Sequence, residues 1–286
     1  MVAEGIGALL KPFNFQTDGL HIQCGGLHPL ARFKDEIKGI LVGMGFAEMD
    51  TRHYVETAFW NFDSLFMSQH HPSRDPGETF YLESSAVFRV PDEYFRRVRR
   101  MHECGGFGST GYQAKWDPGE SNKLLLRTHT TSESARYLFK MAQAPFRPAK
   151  LFSVDRVFRN ETVDSTHLVE FHQVEGLVVD RGLTLGHLMG TLEEFYRRMN
   201  LTKIRFKPAY NPYTEPSMEV FAYHEGMGRW MEMLRTMGFD EDVRVMAWGL
   251  SVERPAMIKY RLENIRDLLG HRVSINFVKT AGICKL

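Results

Sequence analysis

Charged side chains crowd the stretch from Arg156 to Gly176, which contains two arginines, four carboxylates and two histidines. Apolar residues such as Val157 and Phe171 alternate with them, so part of this charge must lie close to a core. Two extended arms joined by the polar segment 162–169 would form a hairpin. The hairpin is therefore the first candidate for a ligand-binding surface.

Residues two apart share one face of a strand. Arg159 and Glu161 therefore point the same way on the first arm, and Phe171, Gln173 and Glu175 share a face on the second. A guanidinium fork matches phosphate oxygens, and carboxylates hold amines or exocyclic amino groups. This face would suit a ligand with a phosphate, an ammonium group and a flat ring. The spacing alone leaves open an ordinary hairpin, whose exposed salt bridges would each contribute under ~1 kcal/mol.

The stretch WGLSVERPAMIKY at 248–260 has the pattern of a strand that leads directly into a helix. Gly249 and Ser251 are small enough for the backbone to approach a ligand closely. Arg254 would lie near the start of the helix, where anions are favoured. This junction is the second candidate site, and the alternative is a plain helix start with an exposed arginine.

Composition limits the class of protein. The chain has 286 residues, 43% of them hydrophobic, so it can bury a large core as one domain or two. With 36 basic and 35 acidic residues it has no overall attraction to nucleic acid or membranes. Its three widely spaced cysteines argue against a disulfide framework or a zinc site. Without a signal-like or membrane-spanning segment, the sequence predicts a soluble cytoplasmic protein.

The predicted elements indicate an α+β fold, an antiparallel β-sheet flanked by helices. Residues 1–27 are interpreted as a leader segment and residues 28–286 as one domain. Apolar spacing and breaker residues predict helices at 29–44, 91–100, 131–142, 185–199, 218–225 and 252–269, with strands at 46–59, 124–128, 151–158, 170–179, 204–209 and 243–248.

Several stretches together resemble the signature motifs of class II aminoacyl-tRNA synthetases. Residues 158–161 (FRNE) look like motif 2, residues 249–254 (GLSVER) look like motif 3, and the helix from Pro29 takes the place of motif 1. The stretches LLRTHTTSESARYL, FRNETVDSTHLVEFHQVEG, FKPAYNPYTEPSMEVF and AWGLSVERPAMIKYRLENIRDLLGH are similar to the alpha-subunit family of phenylalanyl-tRNA synthetases, of the eukaryotic and archaeal cytosolic kind. The resemblance runs from about His28 to the C-terminus and implies the class II synthetase fold.

This resemblance implies an enzyme that uses ATP and Mg²⁺ to activate L-phenylalanine and transfer it to tRNA(Phe). Arg159 and Arg254 would be the catalytic residues. The implied ATP-binding residues are Arg159, Glu161, His167, Phe171, Gly249 and Arg254. The implied amino-acid-binding residues are Trp60, His129, Thr131, Ser134, Gln173, Glu175, Asn211, Tyr213 and Ala247. The ligands of the metal are not identified.

Particular roles follow from the same resemblance. Arg159 would bind the α-phosphate of ATP and the amino-acid carboxylate, and Glu161 would read the adenine amino group. Phe171 and Arg254 would sandwich the adenine ring, while His167 would contact the β- and γ-phosphates. Ala247 would lie at the far end of the phenylalanine pocket. Asn211 and Tyr213 stand where bacterial relatives have two phenylalanines, which is a departure at Asn211.

The family assembles from two alpha and two beta chains, so a beta-subunit partner in an α2β2 heterotetramer is implied. Phe33, Ile37 and Ile40 would then pack in an interface. The family also carries a loop with a Phe-Arg-Pro-Glu run after the strand that matches residues 228–232, and we expect its residues to be missing near Met233. The helical tRNA-binding domains of eukaryotic alpha subunits are absent too, as expected for the catalytic portion of a longer chain.

Other patterns are weaker. Residues 106–111 match GxGxxG but follow a helical stretch, so a dinucleotide-binding fold is disfavoured. The basic residues 96–100 predict either a solvated helix face or a contact with tRNA phosphates. The functional alternatives are a synthetase-like binding protein that has lost activation, which the presence of Arg159 and Arg254 disfavours, and a different class II synthetase, which FHQVEG and NPYTEPSMEVF disfavour.

Overall fold

The computed structural model describes residues 14, 16, 27–83, 90–201, 203–211, 214–221 and 231–269. The helices within these ranges are α1 (Pro29–Gly43), α2 (Ala58–Asn61), α3 (Asp92–Cys104), α4 (Pro118–Asn122), α5 (Thr131–Ala142), α6 (Leu185–Arg198), α7 (Met231–Met237) and α8 (Glu253–Tyr260). The strands are β1 (Ala47–Glu48), β2 (Val55–Thr57), β3 (Tyr81–Leu82), β4 (Leu124–Leu126), β5 (Ala149–Phe158), β6 (Glu170–Arg181), β7 (Arg205–Asn211), β8 (Thr214–Phe221) and β9 (Val243–Ser251). Short 3-10 turns occupy Asp63–Leu65, Pro72–Arg74 and Ile265–Leu268.

The main sheet has the strand order β1-β5-β6-β9. Its long strands β5, β6 and β9 are antiparallel, and the short β1 runs parallel to β5. Smaller sheets are formed by β2-β4-β3 and by the hairpin β7-β8. The predicted antiparallel sheet flanked by helices is therefore confirmed.

Helices cover both faces of the main sheet. On one face, α1, α6 and α8 pack against Val154, Val174 and Leu250. On the other, α3, α5 and α7 pack against Leu177, Val179, Val245 and neighbouring apolar residues. Because strand residues alternate between faces, each long strand contributes to both clusters. We call the first the apolar face and the second the site face, since its strand ends carry the candidate binding groups.

Helix α1 is amphipathic in the predicted way, with Phe33, Ile37 and Leu41 four residues apart on its buried side. His28 caps its first turn by accepting a hydrogen bond from the backbone of Leu30. Phe33 and Ile37 are buried by their own chain on the apolar face, so their predicted place in a subunit interface is wrong. Ile40 is only partly buried there.

A helix is predicted for 218–225, but Thr214–Phe221 form β8, and residues 222–225 lie outside the described residues. Met218 and Val220 are buried while Glu219 between them is partly exposed, as expected for the two-residue period of a strand. Pairing of β8 with β7 determines this segment, and the helix prediction is wrong for 218–221.

The helix predicted for 252–269 is too long. Helix α8 ends at Tyr260 because Arg261 adopts the left-handed conformation, with φ 52°. The prediction of one extended segment over 46–59 is also wrong, since residues 58–61 form α2 after a cap by Thr57.

The expectation of missing residues near Met233 stays a prediction. Met233 lies inside α7, which spans Met231–Met237. Its side chain and those of Leu234 and Met237 are buried against the site face.

Among the described residues, no helix has both the length and the apolar character needed to cross a membrane. The predicted leader, 1–27, lies outside the described residues except for positions 14, 16 and 27. The segment 105–111 follows helix α3, as expected, and not a strand.

Candidate active site

The charged hairpin exists and forms the centre of the main sheet. Strands β5 and β6 pair from Ala149–Val179 to Phe158–Glu170, and residues 159–169 connect them. On the site face, Gln173 lies between Asp155 and Ser251, and Glu175 lies between Ser153 and Gly249. The predicted common face of Phe171, Gln173 and Glu175 is therefore confirmed.

Glu175 is the most deeply placed acid of this face, with 3% of its surface exposed. Its Oε1 accepts a hydrogen bond from Ser134 Oγ at 2.7 Å. Its Oε2 accepts hydrogen bonds from Thr131 Oγ1 at 2.7 Å and Thr130 Oγ1 at 3.2 Å. Burial raises the pKa of the Glu175 carboxyl, although the three hydroxyl groups oppose the rise. The site thus holds a buried carboxyl group that a cationic ligand could neutralise.

These hydroxyl groups come from the start of α5, which the sequence THTTSES (128–134) builds from small polar residues. The N-terminus of a helix favours negative charge, so α5 is directed suitably toward Glu175. The backbone N–H of Thr130 also donates to Gln173 Oε1 at 3.2 Å. Thr130 was missed by the sequence interpretation, although its position before the helix made it a candidate cap.

His129 is buried just before this helix. Burial lowers its pKa to about 3, and the nearby positive charge of Arg159 acts in the same direction. The ring is therefore neutral at physiological pH. Phe62 packs edge-on against it, with ring centres 6.4 Å apart.

Arg159 stands at the open end of the hairpin. Its Nε donates to the carbonyl of Thr128 at 3.5 Å, and Nη1 lies 3.7 Å from Glu161 Oε1. Its guanidinium lies 5.3 Å from the centre of the Phe171 ring. The side chain is 42% exposed, so the guanidinium is accessible from solvent. The guanidinium can bind the phosphates of a nucleotide and the aromatic ring can stack on its base, so the two side chains together suit a nucleotide.

Gly249 lies on β9 beside Gln173. A Cβ on this glycine would come within 2.8 Å of Gln173 Nε2, closer than real carbon contacts allow. A larger residue at this position would therefore force the end of the Gln173 side chain to move. The predicted close approach of a ligand at this junction stays a prediction.

Arg254, at the second position of α8, reaches the connection between β5 and β6. Its Nη2 lies 3.2 Å from His167 Nε2. His167 Nδ1 is in turn 2.9 Å from Asp164 Oδ2. Backbone N–H groups of Thr166 and His167 also donate to Asp164, and these bonds hold the pKa of its carboxyl well below the usual range. The two arginines therefore approach the site from separate segments.

Trp60 and Ala247 lie deeper on the site face. Both are nearly inaccessible, at 3% and 2% exposure, and belong to the same apolar cluster. Arg136 stacks over the Trp60 ring at 4.7 Å and forms two hydrogen bonds with the buried Glu56. Asn211 is the last residue of β7, and its side chain and the whole of Tyr213 lie outside the described residues.

No group of three or more His, Cys, Asp or Glu side chains that could hold a metal ion occurs in the described ranges. The carboxylate nearest to Arg254 in sequence, Glu253, is bonded to the backbone and ring of His172.

The sequence matches the family described as tRNA synthetases class II core domain (F) over residues 12–280. It is 56% identical over 96% of its length to the probable phenylalanine–tRNA ligase alpha subunit of Encephalitozoon cuniculi, of which it covers 60%. It is 53% identical to the phenylalanine–tRNA ligase alpha subunit of Homo sapiens, again over 96% of this chain and 57% of the relative. The chain thus spans about three fifths of the length of these relatives.

The fold is similar to that of pyrrolysyl-tRNA synthetase from Desulfitobacterium hafniense, with a TM-score of 0.59 at 14% identity. That alignment covers 84% of this chain and 73% of the other. The predicted class II fold is thereby confirmed. With the hairpin and strand-to-helix junction of motifs 2 and 3 both in place, the chain belongs to the class II aminoacyl-tRNA synthetases, within the phenylalanine–tRNA ligase alpha-subunit family.

Proposed function

We propose that this chain activates L-phenylalanine with ATP to give phenylalanyl adenylate, and transfers the phenylalanyl group to tRNA(Phe). It does so as the catalytic alpha subunit of a phenylalanine–tRNA ligase. The observation that carries the proposal is that a buried acid, Glu175, and an accessible base, Arg159, lie on the same face of the sheet. The names of its relatives supply the substrate.

The amino acid is oriented by its charged groups. Glu175 sits at the bottom of the face and takes the ammonium group, with Gln173 beside it. Thr131 and Ser134 donate hydrogen bonds to Glu175, which fixes both carboxylate oxygens before the ligand arrives. Because Glu175 is buried before the ligand binds, a cation that binds there does not have to displace water from the carboxylate, and the interaction between the two charges is strong.

ATP lies toward the open end of the hairpin. Arg159 binds the α-phosphate together with the amino-acid carboxylate. Phe171, whose ring lies beside the Arg159 guanidinium, stacks on the adenine ring. Arg254 covers the opposite face of the adenine, while Glu161 accepts from its amino group. His167 contacts the β- and γ-phosphates from the connection that Arg254 already reaches.

The reaction needs no nucleophilic side chain. One oxygen of the phenylalanine carboxylate attacks the α-phosphorus, a new bond forms between them, and the bond to the β-phosphate oxygen breaks as pyrophosphate leaves. Arg159 and Arg254 stabilise the charge that builds on the phosphoryl oxygens, and the rigid sheet supplies proximity. In the second step, the terminal ribose hydroxyl of tRNA(Phe) attacks the activated carbonyl and AMP leaves.

The remaining features of the proposal come from the family. ATP is a substrate of class II synthetases, and Mg²⁺ would neutralise its phosphates when bound. Residues of a beta subunit complete an α2β2 heterotetramer that acts in the cytoplasm. Asn211 and Tyr213 would contact the substrate ring.

Phenylalanine-dependent exchange of pyrophosphate into ATP tests the proposal. The alpha chain is assayed with phenylalanine, tyrosine, leucine and serine, with and without a beta subunit. Exchange with phenylalanine far above the others supports it, and equal or absent exchange with all four, in the presence of the beta subunit, contradicts it. Absent exchange would favour a binding protein that has lost activation.

Two variants of strand β6 make the test specific. Glu175→Gln removes the buried charge and is expected to lose about two orders of magnitude in exchange, since a missing preorganised group costs about 10²–10³-fold. Glu170→Gln is its matched control, because Glu170 lies on the opposite face and pairs with Arg156. Equal loss in both variants would indicate damage to the sheet and not to a ligand site.

A further inference from the structure

Arg127 is completely buried, with no exposed side-chain surface, although it carries a full positive charge. It follows β4 directly and precedes the segment 128–134 that supplies the hydroxyl groups around Glu175. A buried charge is expensive unless it is paired and hydrogen-bonded. Its partners therefore indicate why the residue is an arginine.

The guanidinium links its own segment to two others, which makes three segments in all. Its Nε donates to the carbonyl of Arg156 at 2.9 Å, on β5. Its Nη1 donates to the carbonyls of Thr51 at 2.6 Å and His53 at 3.4 Å, in the segment that leads into β2. Its own backbone continues these links, because Arg127 N–H donates to the Tyr54 carbonyl and the Arg127 carbonyl accepts from Phe158 N–H, each at 3.0 Å.

The positive charge is balanced by Asp155, whose Oδ2 lies 2.9 Å from Arg127 Nη2. Asp155 also accepts hydrogen bonds from Thr51 Oγ1 at 2.6 Å and Tyr54 Oη at 3.2 Å. Burial alone would raise the pKa of its carboxyl, but these bonds and the charge of Arg127 outweigh that effect and lower it. The ring of Tyr54 lies flat against the guanidinium, 4.8 Å from its carbon.

Two of these three segments lead to residues of the site. Strand β5 continues through Phe158 to Arg159, and the segment after Arg127 continues through Thr128 to His129 and Thr131. Arg159 Nε in turn reaches the Thr128 carbonyl at 3.5 Å. Arg127 therefore joins the two backbones directly beside the contact between Thr128 and Arg159.

We propose that Arg127 is a positioning residue of the adenylation site, which sets the place of Arg159 relative to the Glu175 pocket through its fork of hydrogen bonds to residues 51–53 and 156. This rests on the function proposed above. Lysine cannot replace it, because an ammonium group lacks the planar fork that reaches several acceptors in fixed directions. Arg127 positions the side chains that contact the ligands, and it has no direct contact with the ligands itself.

The test is Arg127→Lys, which keeps the charge but loses the fork. A displacement of about 1 Å in the reacting groups can cost about 10²-fold in rate. We expect kcat for phenylalanine-dependent exchange to fall by about that factor, with KM for phenylalanine and for ATP each changing less than about threefold. Methylguanidinium added to the Arg127→Ala variant is expected to restore part of kcat by occupying the vacated space.

Arg74→Lys is the matched control for a buried arginine. Arg74 is also enclosed and binds Asp63 Oδ1 at 2.8 Å and the Met67 carbonyl at 2.5 Å, but neither partner belongs to the three segments. It is expected to lower the melting temperature while kcat stays near that of the unmodified protein. An Arg127→Lys variant whose kcat matches that of Arg74→Lys would overturn the proposal.

A crystal structure of Arg127→Lys separates this inference from the proposed function. Displacement of Arg159 and of residues 128–131 relative to the unmodified protein is expected, whether or not phenylalanine is the substrate. Unchanged positions of both would overturn the positioning role. Failure of the unmodified protein to catalyse exchange would instead contradict the proposed function, and the structural comparison would still decide the role of Arg127.

Discussion

The first half of strand β6 presents very different side chains on its two faces. Toward α1 and α6 it contributes Val174, which is packed among apolar groups. Toward α5 it contributes Gln173 and Glu175, which are held by hydroxyl and backbone donors. Val174 and Glu175 are buried and Gln173 is partly buried, but only the apolar side chain gains free energy simply by leaving water. Further along the strand the site face is apolar too, with Leu177 and Val179 in its core, so the binding groups occupy only the first part of that face.

The largest expected effect is that of Arg159→Ala on the site face. Turnover in pyrophosphate exchange should fall on the order of 10³-fold, because the deleted charge acts mainly on the transition state. Phenylalanine affinity should fall less, and the melting temperature should barely change, since the side chain is well exposed. Arg156→Ala, on β5 three residues earlier and paired with Glu170, is the control. Exchange within tenfold of the unmodified protein would refute the assignment of motif 2.

The opposite face should respond in the opposite way. Leu192→Ala removes a buried side chain of α6 from the apolar cluster. Such truncations cost about 2–5 kcal/mol of unfolding free energy because they leave a cavity. Urea unfolding should show this loss, while kcat per folded molecule stays unchanged. A large fall in kcat with intact stability would show that the two faces are not divided as described.

Substitutions of Ala247 test whether this residue limits the size of the amino-acid pocket on the site face. It pairs with Leu177 and is almost fully buried, so the size of its side chain matters. Ala247→Gly should admit para-chlorophenylalanine, and Ala247→Val should weaken phenylalanine itself, by about 10–200-fold for a methylene-sized change. Exchange with phenylalanine, tyrosine and para-chlorophenylalanine measures the ratios. Ratios that stay constant in both variants would place Ala247 outside the amino-acid pocket.

The smallest expected effect is the change in unfolding free energy between neutral and mildly acidic pH. Because the pKa of His129 is lowered to about 3 in the fold, the unfolded chain binds a proton there more readily. The stability this group contributes is therefore complete above its unfolded pKa of about 6.5 and is lost as the pH falls below it. Between pH 7 and 5.5 the loss should be about 1 kcal/mol.

Glu175 opposes this trend, since its raised pKa makes the fold relatively more stable as the pH falls. The His129 contribution is therefore measured as the difference in unfolding free energy between the unmodified protein and His129→Gln across that range. A difference that does not vary with pH would show that His129 is not buried in its neutral form.

Local periodicity was enough to predict much of the site. The two-residue period of strand β6 correctly grouped Phe171, Gln173 and Glu175, because side chains alternate whatever the strand pairs with. At the junction, Gly249 leaves room for the side chain of Gln173 on the neighbouring strand. The stripe of Phe33, Ile37 and Leu41 likewise gave α1 and its buried face.

The predictions that were wrong, and the contacts that were missed, depend on residues distant in sequence. Residues 214–221 became β8 because β7 pairs with them, and a short apolar segment does not specify this alone. The burial of Phe33 and Ile37 inside their own chain depends on how α1 meets the sheet. The links made by Thr130 and Arg127 likewise depend on the registers of β4, β5 and β6, which no local pattern contains.

The place of β6 at the centre of the sheet has a consequence for synthesis on the ribosome. Its partner β9 follows only after α6, the β7-β8 hairpin and α7, so the nascent chain must carry β6 with one edge unpaired for much of translation. Unpaired strand edges are templates for aggregation, and contacts distant in sequence form slowly. Nascent chains that end before Val243 should therefore depend on chaperones to stay soluble, and release of that dependence should coincide with the emergence of β9.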